Sequence, residues 1–375
     1  MTDVVVVSLE AWDDVWRRNQ HLVAGLLHHD PALRVLFVEP PADPTHDIRS
    51  GRRPTFARGR REIPDVAPGR LFTIRPVKRL PRRLDRRADE RLARAVMRAA
   101  DSLGMLHPLL WINDPSAATL ADLSGWPTLY DITDDWISAD RLESERRRVT
   151  ADEERLLELA REVVVCSREL ELRKGARRRV TLIPNAVDSA AYRRPMPRPS
   201  DLPDGPCALY LGTAHPDRID VDLCVTTARA LGSAGTLVLV GPNLLPPQDV
   251  RRLEAAGVQL LGPRAHDAVI GYLQHADVLL VPHVVTEFTD SLDPIKLYEY
   301  QAVGRPVVST PVAGFRESND SRVTIASDNA FAAAVATAVP ASTSFPDGAD
   351  ERVADWNDRV VAMAKVLQRL SAAQG

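Results

Sequence analysis

The sequence predicts an α/β chain of two doubly wound parallel-sheet domains in tandem. Three observations carry this. Short β-branched apolar runs recur along the chain, separated by segments with apolar residues at helical spacing. A polar, proline-rich stretch at 193–206, RRPMPRPSDLPDGP, interrupts the alternation, which then restarts. The length of 375 residues, 45% hydrophobic and 26% charged, suffices for two ordinary cores. The expected divisions are a first domain over 1–192, a linker over 193–206, a second domain over 207–345, and a C-terminal helical segment over 346–375 that packs back on the first.

The elements follow in order. Residues 4–8 are the kind of apolar β-branched run that parallel sheets bury on both faces. A helix is expected over 17–27 and a strand over 35–38. A long Pro- and Arg-rich stretch follows, with a strand at 71–74. Leu84, Ala88, Leu92, Ala95, Val96, Ala99 and Leu103 form one helical stripe that Gly104 ends. Strands are expected at 109–112, 127–131, 163–166 and 181–183, with helices between. In the second half, strands are expected at 208–211, 236–240, 258–261, 278–281, 307–309 and 323–325. Helices are expected near 222–231, 248–256, 266–274 and 294–302, and the segment 349–374 reads as mostly helical.

The net charge is -3, but it is unevenly spread. Between Arg49 and Arg98 there are 17 Lys/Arg against 5 Asp/Glu, a net of +12, so the remainder carries -15. That basic segment suits anionic lipid headgroups better than nucleic acid, since no nucleic-acid motif accompanies it and its aromatics are only Phe56 and Phe72. Cys166, Cys207 and Cys224 are far apart and show no metal-ligand spacing, which reads as buried thiols in a reducing cytosol. The N-terminus, MTDVVVVSLE, lacks the basic region of a signal peptide, and no apolar run reaches the ~18 residues of a membrane span. The expected location is cytoplasmic, peripheral on the cytoplasmic membrane face.

The most informative segment is 293–310, DPIKLYEYQAVGRPVVST. Pro294 suits a first helical turn, Leu297, Tyr300 and Gln301 repeat at helical spacing, Gly304 ends the helix, and Val307 and Val308 open a strand. Lys296 and Glu299, three apart, share one helix face. A cation and free N–H groups near a helix start suit a diphosphate, and a carboxylate suits ribose hydroxyls.

This segment resembles the donor-site helix of GT-B glycosyltransferases of the GT4-like group, in the subgroup with a Pro-x-Lys-Leu-Phe/Tyr-Glu-Tyr pattern. The resemblance implies that Lys296 contacts donor phosphate and Glu299 holds the ribose. The family's first Glu falls at Ser291, a departure. IPNAVD at 183–188 is similar to the family's Pro-Asn-Gly-Val-Asp, with Ala186 for Gly. VLVGP at 238–242 and LGPR at 261–264 follow the family order. The resemblance implies GT-B architecture: two Rossmann-like doubly wound domains facing across a cleft. At Gly212, after the first strand of the second domain, a diphosphate would approach the backbone. Thr213 takes the family's Arg place, and Arg218 falls near its Lys place. The nucleotide base would rest against the turn ending at Arg264.

For the first domain, YDITDDW at 130–136 puts carboxylates at a strand's carboxyl end. Similar segments in the Lys-containing subgroup turn an acidic residue toward the acceptor, which makes Asp134, then Asp131 or Asp135, the candidate general base. Trp12 and Trp16 are candidates to stack on an acceptor sugar, with Arg17, Arg18 and His21 for an anionic group. Asp220 and Asp222 spell the D-V-D of metal-dependent enzymes, yet they precede a helix, where Asp is a common N-cap.

G-x-G-x-x-G after a strand, G-x-x-x-x-G-K-[ST], G-x-S-x-G and H-E-x-x-H are all missing, which disfavours nicotinamide, P-loop, α/β-hydrolase and zinc-protease chemistry. The expected activity is a metal-independent, cofactor-free hexosyl transfer from a nucleotide-sugar, a UDP-sugar first, to a saccharide, lipid-linked or small-molecule hydroxyl. Retention and inversion both stay open. A nucleotide-sugar epimerase and a non-catalytic GT-B-like subunit are the alternatives.

Overall fold

The computed structural model describes residues 2–372 except 14–15, 50, 52, 79, 81, 83, 135–142, 287–288, 290–292 and 342–352. The chain forms two compact units, Met1–Pro184 with Trp356–Gly375, and Asn185–Asp355. The division therefore falls at 184 rather than 192, and residues 193–206 belong to the second unit. There the Met196 N–H donates to Gln274 Oε1 at 2.9 Å, and the Gln274 amide donates to the Tyr192 and Arg194 carbonyls.

The first unit runs β1 (Asp3–Val7), α1 (Arg18–His29), β2 (Arg34–Val38), α2 (Pro44–Arg49), β3 (Arg58–Glu62), β4 (Leu71–Arg75), α3 (Ala88–Ser102), β5 (Leu109–Ile112), α4 (Ala118–Ser124), β6 (Thr128–Ile132), α5 (Glu143–Leu159), β7 (Glu162–Val165), α6 (Arg168–Gly175) and β8 (Thr181–Leu182). Its sheet order is β3-β4-β2-β1-β5-β6-β7-β8. All pairs are parallel except β3 with β4. The chain winds one way from β1 to β4, then returns to β5 and winds the other way, so β1/β5 is the switch point where such sheets bind ligands.

The second unit runs α7 (Ser189–Arg193), β9 (Cys207–Leu211), α8 (Val221–Leu231), β10 (Thr236–Val240), α9 (Pro247–Ala255), β11 (Gln259–Gly262), α10 (His266–His275), β12 (Val278–Val281), α11 (Ile295–Val303), β13 (Val307–Ser309), β14 (Val323–Ile325) and α12 (Asp328–Ala341). Its all-parallel sheet, β11-β10-β9-β12-β13-β14, has its switch point at β9/β12. Apolar residues pack on both faces of this sheet. The last helix, α13 (Trp356–Ala372), returns to the first unit, packs on α1, and ties Arg369 to Glu162 at 2.8 Å.

Four elements lie outside the sequence expectation, the five-residue helix α7 among them. β3 reads RGRRE and is exposed at every position, so no apolar alternation marks it; ladder bonds to β4 make it an edge strand, and charge protects it from further pairing. α2 is a six-residue helix. α12 buries Phe331 and Val335 against α8, together with Val339. The expected stripe also begins too early: Leu84 is 70% exposed and α3 starts at Ala88. The Asp85 carboxylate accepts the Arg87 N–H at 3.1 Å, which bends the chain before the helix. The three cysteines are buried and free. No described helix is long and apolar enough to cross a membrane.

Candidate functional site

In the second unit the switch point brings Lys296, Tyr210 and His283 together around Gly212. Gly212 follows β9 with φ +144°, and a Cβ built there would lie 2.5 Å from Lys296 Nζ and 3.0 Å from the Tyr210 hydroxyl. Lys296, on the first turn of α11, thus brings its ammonium directly against the bare Cα of Gly212. Its Nζ lies 5.3 Å from the centroid of the Tyr210 ring, a cation–π contact. Gly241, at the end of β10 with φ +138°, faces the Gly212 backbone so closely that a Cβ would overlap the Gly212 carbonyl oxygen.

Electrostatics single out Lys296. Burial pulls its pKa below the usual lysine value; Glu299 opposes that and Arg218 adds to it. Arg218 is exposed and acts on Lys296 through its charge, and a bound anion would offset the repulsion between the two cations. His283, after β12, completes the group. Its Nε2 is 3.1 Å from the Tyr210 hydroxyl, and burial, then the Lys296 and Arg218 charges, hold its pKa down at about 3. His283 is therefore a neutral hydrogen-bonding group. The sequence reading missed His283 and Tyr210; their only sequence signal is their place near the carboxyl ends of the two switch-point strands.

Glu299 is oriented by Tyr192, whose hydroxyl donates to Oε1 at 2.7 Å. Burial, then the Glu299 charge, raises the Tyr192 pKa, so it stays a donor. The start of α11 is pinned by Asp293, which accepts the Asn185 N–H and the Tyr298 hydroxyl (2.8 Å), while its carbonyl takes the Asn185 amide at 2.7 Å. The I-P-N-A-V-D segment thus secures the Lys296 helix from behind.

Other expected donor residues take other places. Pro294 is the N-cap of α11 rather than part of its first turn, and Leu297 is buried in the core. Thr213 offers its carbonyl to the Tyr210 hydroxyl at 3.3 Å. Arg264 is occupied within the scaffold: it pairs with Asp201 and donates to the Tyr272 hydroxyl at 2.8 Å. That pairing makes it a clamp between residues 193–206 and α10. Asp220 caps α8 through the Leu223 N–H at 2.9 Å, as N-cap chemistry predicts. Ser291 and Asp135 lie outside the described residues.

In the first unit the base candidates divide. Asp131 has no exposed surface, and its carboxylate receives the Arg18 guanidinium (3.2 Å), the Trp111 indole N–H (3.2 Å) and the Asn113 amide (3.2 Å). This corrects the expectation for Asp131 as a base and for Arg18 as an anion ligand: together they are a buried anchor joining α1 to the sheet. Breaking such a pair leaves a buried charge, so Asp131→Ala should cost ~3–5 kcal/mol of stability in a denaturant titration. A loss under about 1 kcal/mol would show that the pair is not an anchor.

Trp12 is 7% exposed and packs edge-on against Phe37 (5.0 Å) and Trp16 (5.9 Å), which removes it as an open stacking platform. His21 stacks on Trp356 at 4.8 Å and 8°, which places it in the α1–α13 contact. Arg17 caps α1 and pairs with Glu10 (3.7 Å) and Asp13 (3.4 Å). Glu10 itself was missed. It follows β1, partly buried, and burial pushes its carboxyl up to about 7, with Asp134 and Asp13 adding to the rise and Arg17 opposing it. Asp134 is partly buried and accepts the Thr133 hydroxyl at 3.4 Å. Glu10 and Asp134 are thus electrostatically coupled at the carboxyl edge of the sheet.

Comparisons with known proteins bear on this geometry. Residues 205–340, which hold β9 to β14 and Lys296, match a family model described as Glycosyl transferases group 1. TuaH of Bacillus subtilis (strain 168), named for glycosyl transfer in teichuronic acid biosynthesis, is 25% identical over 219 residues, 54% of this chain and 55% of its own. The chain spans about half the length of that relative. Anabaena Alr3699/HepE in complex with UDP superposes with TM-score 0.61 at 15% identity, over 99% of this chain and all of its own. A structure described as trehalose-6-phosphate from E. coli, bound with UDP-2-fluoro glucose, gives 0.66 at 10% identity, over 99% and 96%. The likeness to the solved structures is one of fold. The chain thus has the two-domain, Rossmann-like GT-B fold, and its residues 205–340 are similar to the group 1 glycosyltransferases.

Proposed function

We propose that this protein transfers a hexosyl group from a nucleoside-diphosphate sugar, a UDP-sugar first, to a hydroxyl of a saccharide, lipid-linked or small-molecule acceptor. The observation that carries this reading is the Lys296 ammonium held against Gly212 at the β9/β12 switch point, with Arg218 as a second cation. UDP or a UDP-sugar analogue occupies the superposed structures named above. The diphosphate lies along Gly212 and Thr213, and its ribose hydroxyls bond Glu299. Lys296 and Arg218 take up charge on the departing diphosphate, a role for which no metal is required. As the sugar C1–O bond to phosphate breaks, the acceptor oxygen forms the new bond to C1. The acceptor's proton passes to the Glu10–Asp134 pair. Exposed Arg49, Arg53 and Arg58, beside exposed Ile48 and Phe56, suit an anionic membrane surface.

The test is UDP release from UDP-glucose with and without a mixture of acceptors, across pH. Release that requires acceptor and rises as pH passes about 7 is expected, because a base with a raised pKa is active only once ionised. Glu10→Gln should cut the rate ~100-fold or more and remove that rise, at unchanged UDP affinity. Turnover of donor without acceptor would indicate an epimerase. UDP failing to bind at all would indicate a non-catalytic subunit.

A further inference from the structure

The first unit holds a polar cavity of about 250 Å³ that none of the residues discussed so far explains. It opens at this unit's own switch point. Leu9 follows β1, Pro41 follows β2, and Pro115 follows β5, so its rim is the carboxyl edge of the parallel sheet. Leu9 also adjoins Glu10. One wall comes from α5.

Its charged lining is balanced: Lys78, Arg82 and Arg148 against Asp43, Asp114 and Glu145. Each cation already has a carboxylate partner. Lys78 pairs with Asp43 at 2.6 Å, Arg82 with Asp89 at 2.8 Å, and Arg148 with Asp152 at 3.1 Å. Asp114 accepts the Ser116 N–H (2.9 Å) and hydroxyl (2.7 Å), and this fixes its carboxylate on the rim.

A lining balanced between three cations and three carboxylates gives a bound anion no net attraction to offset the loss of its hydration. They do hold hydroxyls. A guanidinium has five N–H donors and an ammonium three, so one ion pair leaves donors over, and a carboxylate oxygen accepts more than one bond. A sugar hydroxyl both donates and accepts, and a ring of them matches alternating donors and acceptors. The volume falls just below the ~300–1,000 Å³ of drug-sized ligand sites, which suits one ring rather than an extended chain.

We infer that this cavity binds a single uncharged sugar ring, the acceptor end of the transfer, and discriminates against uronic acids. This rests on the transferase reading and gives its acceptor a chemical class. The test is a ligand-observed NMR titration of the full chain with p-nitrophenyl β-glucoside, β-galactoside and β-glucuronide, with UDP affinity measured in parallel. At least one neutral glycoside should bind, with the glucuronide about tenfold weaker or more. Arg148→Met should weaken the neutral glycoside about tenfold and leave UDP unchanged. Glu145→Lys, on an exposed position of α5, takes the lining from balanced to net positive and should bring the glucuronide level with the neutral ligand or past it. Equal binding of glucuronide and neutral glycosides by the unsubstituted protein, or insensitivity to Arg148→Met, overturns the inference. If UDP binds and no neutral glycoside does, the cavity assignment falls and the donor-site reading stands; glycoside binding without UDP binding is the reverse result.

Discussion

Lys296→Ala should lower the affinity for UDP by roughly 100-fold, about 3 kcal/mol, in a calorimetric titration. The ammonium sits against Gly212 at the switch point, where a diphosphate has few other charged partners, and the loss removes both its Coulomb attraction and its hydrogen bonds. The same substitution should leave the ligand-free protein as stable or more so. Burial lowers the folded-state pKa of Lys296, so between that value and the unfolded 10.5 the folded protein binds fewer protons than the unfolded one. Ligand-free stability therefore rises with pH through that window, and Lys296→Ala should flatten the rise. Arg218→Ala should cost less, about tenfold in UDP affinity, since its influence is longer-ranged. A UDP affinity unchanged in Lys296→Ala would remove the donor-site assignment.

Gly241→Ala should destabilise the second unit more than any surface change. Its φ of +138° is closed to residues with a side chain, and the new Cβ would overlap the carbonyl of Gly212. Both groups are backbone, and β9 and β10 are locked in register through Leu211 opposite Val240, so neither can move aside cheaply. A cost of ~3 kcal/mol or more follows from strain plus overlap, a fall of roughly 10 °C in Tm. Gly257→Ala is the comparison: φ is +85° but the space is open, so only the conformational cost of ~1–2 kcal/mol applies. Equal effects at the two positions would mean that the Gly212–Gly241 contact is not tight. Where Gly241→Ala still folds, its UDP binding should be lost, because the Gly212 face moves.

The Lys296 helix was legible because its information is local. Lys296, Glu299, Gly304 and the following valines sit within one helix–turn–strand unit, and the helix, its left-handed C-cap and the next strand fall at those residues. The acidic cluster after β6 was less legible. Asp131 and Asp134 are three residues apart and chemically identical in sequence. Asp131 lies inside β6, which is buried at every position, and meets Arg18, Trp111 and Asn113, whereas Asp134 lies beyond the end of the strand and is partly open. No spacing rule brings residue 18 to residue 131. Trp12 looked like a platform for the same reason: its neighbour Phe37 comes from β2. Glu10 gave no signal, because a lone glutamate after a strand is ordinary until burial, Asp134 and Asp13 raise its pKa.

By itself, the sequence determined the two α/β halves, most strands, and the cation–carboxylate pair on one helix face of α11, since periodicity, caps and turn residues act over a few positions. It also carried a resemblance to the group 1 glycosyltransferases, whose family model matches residues 205–340. Only the tertiary structure decided which charges are buried anchors and which are gathered at the switch points. It placed Lys296 on Gly212, held His283 neutral, closed Asp131 in the core, and drew Lys78, Arg82 and Arg148 around one cavity. The physical reason is that burial and charge pairing are set by neighbours far apart in the chain, and desolvation acts on a group only once those neighbours have arrived.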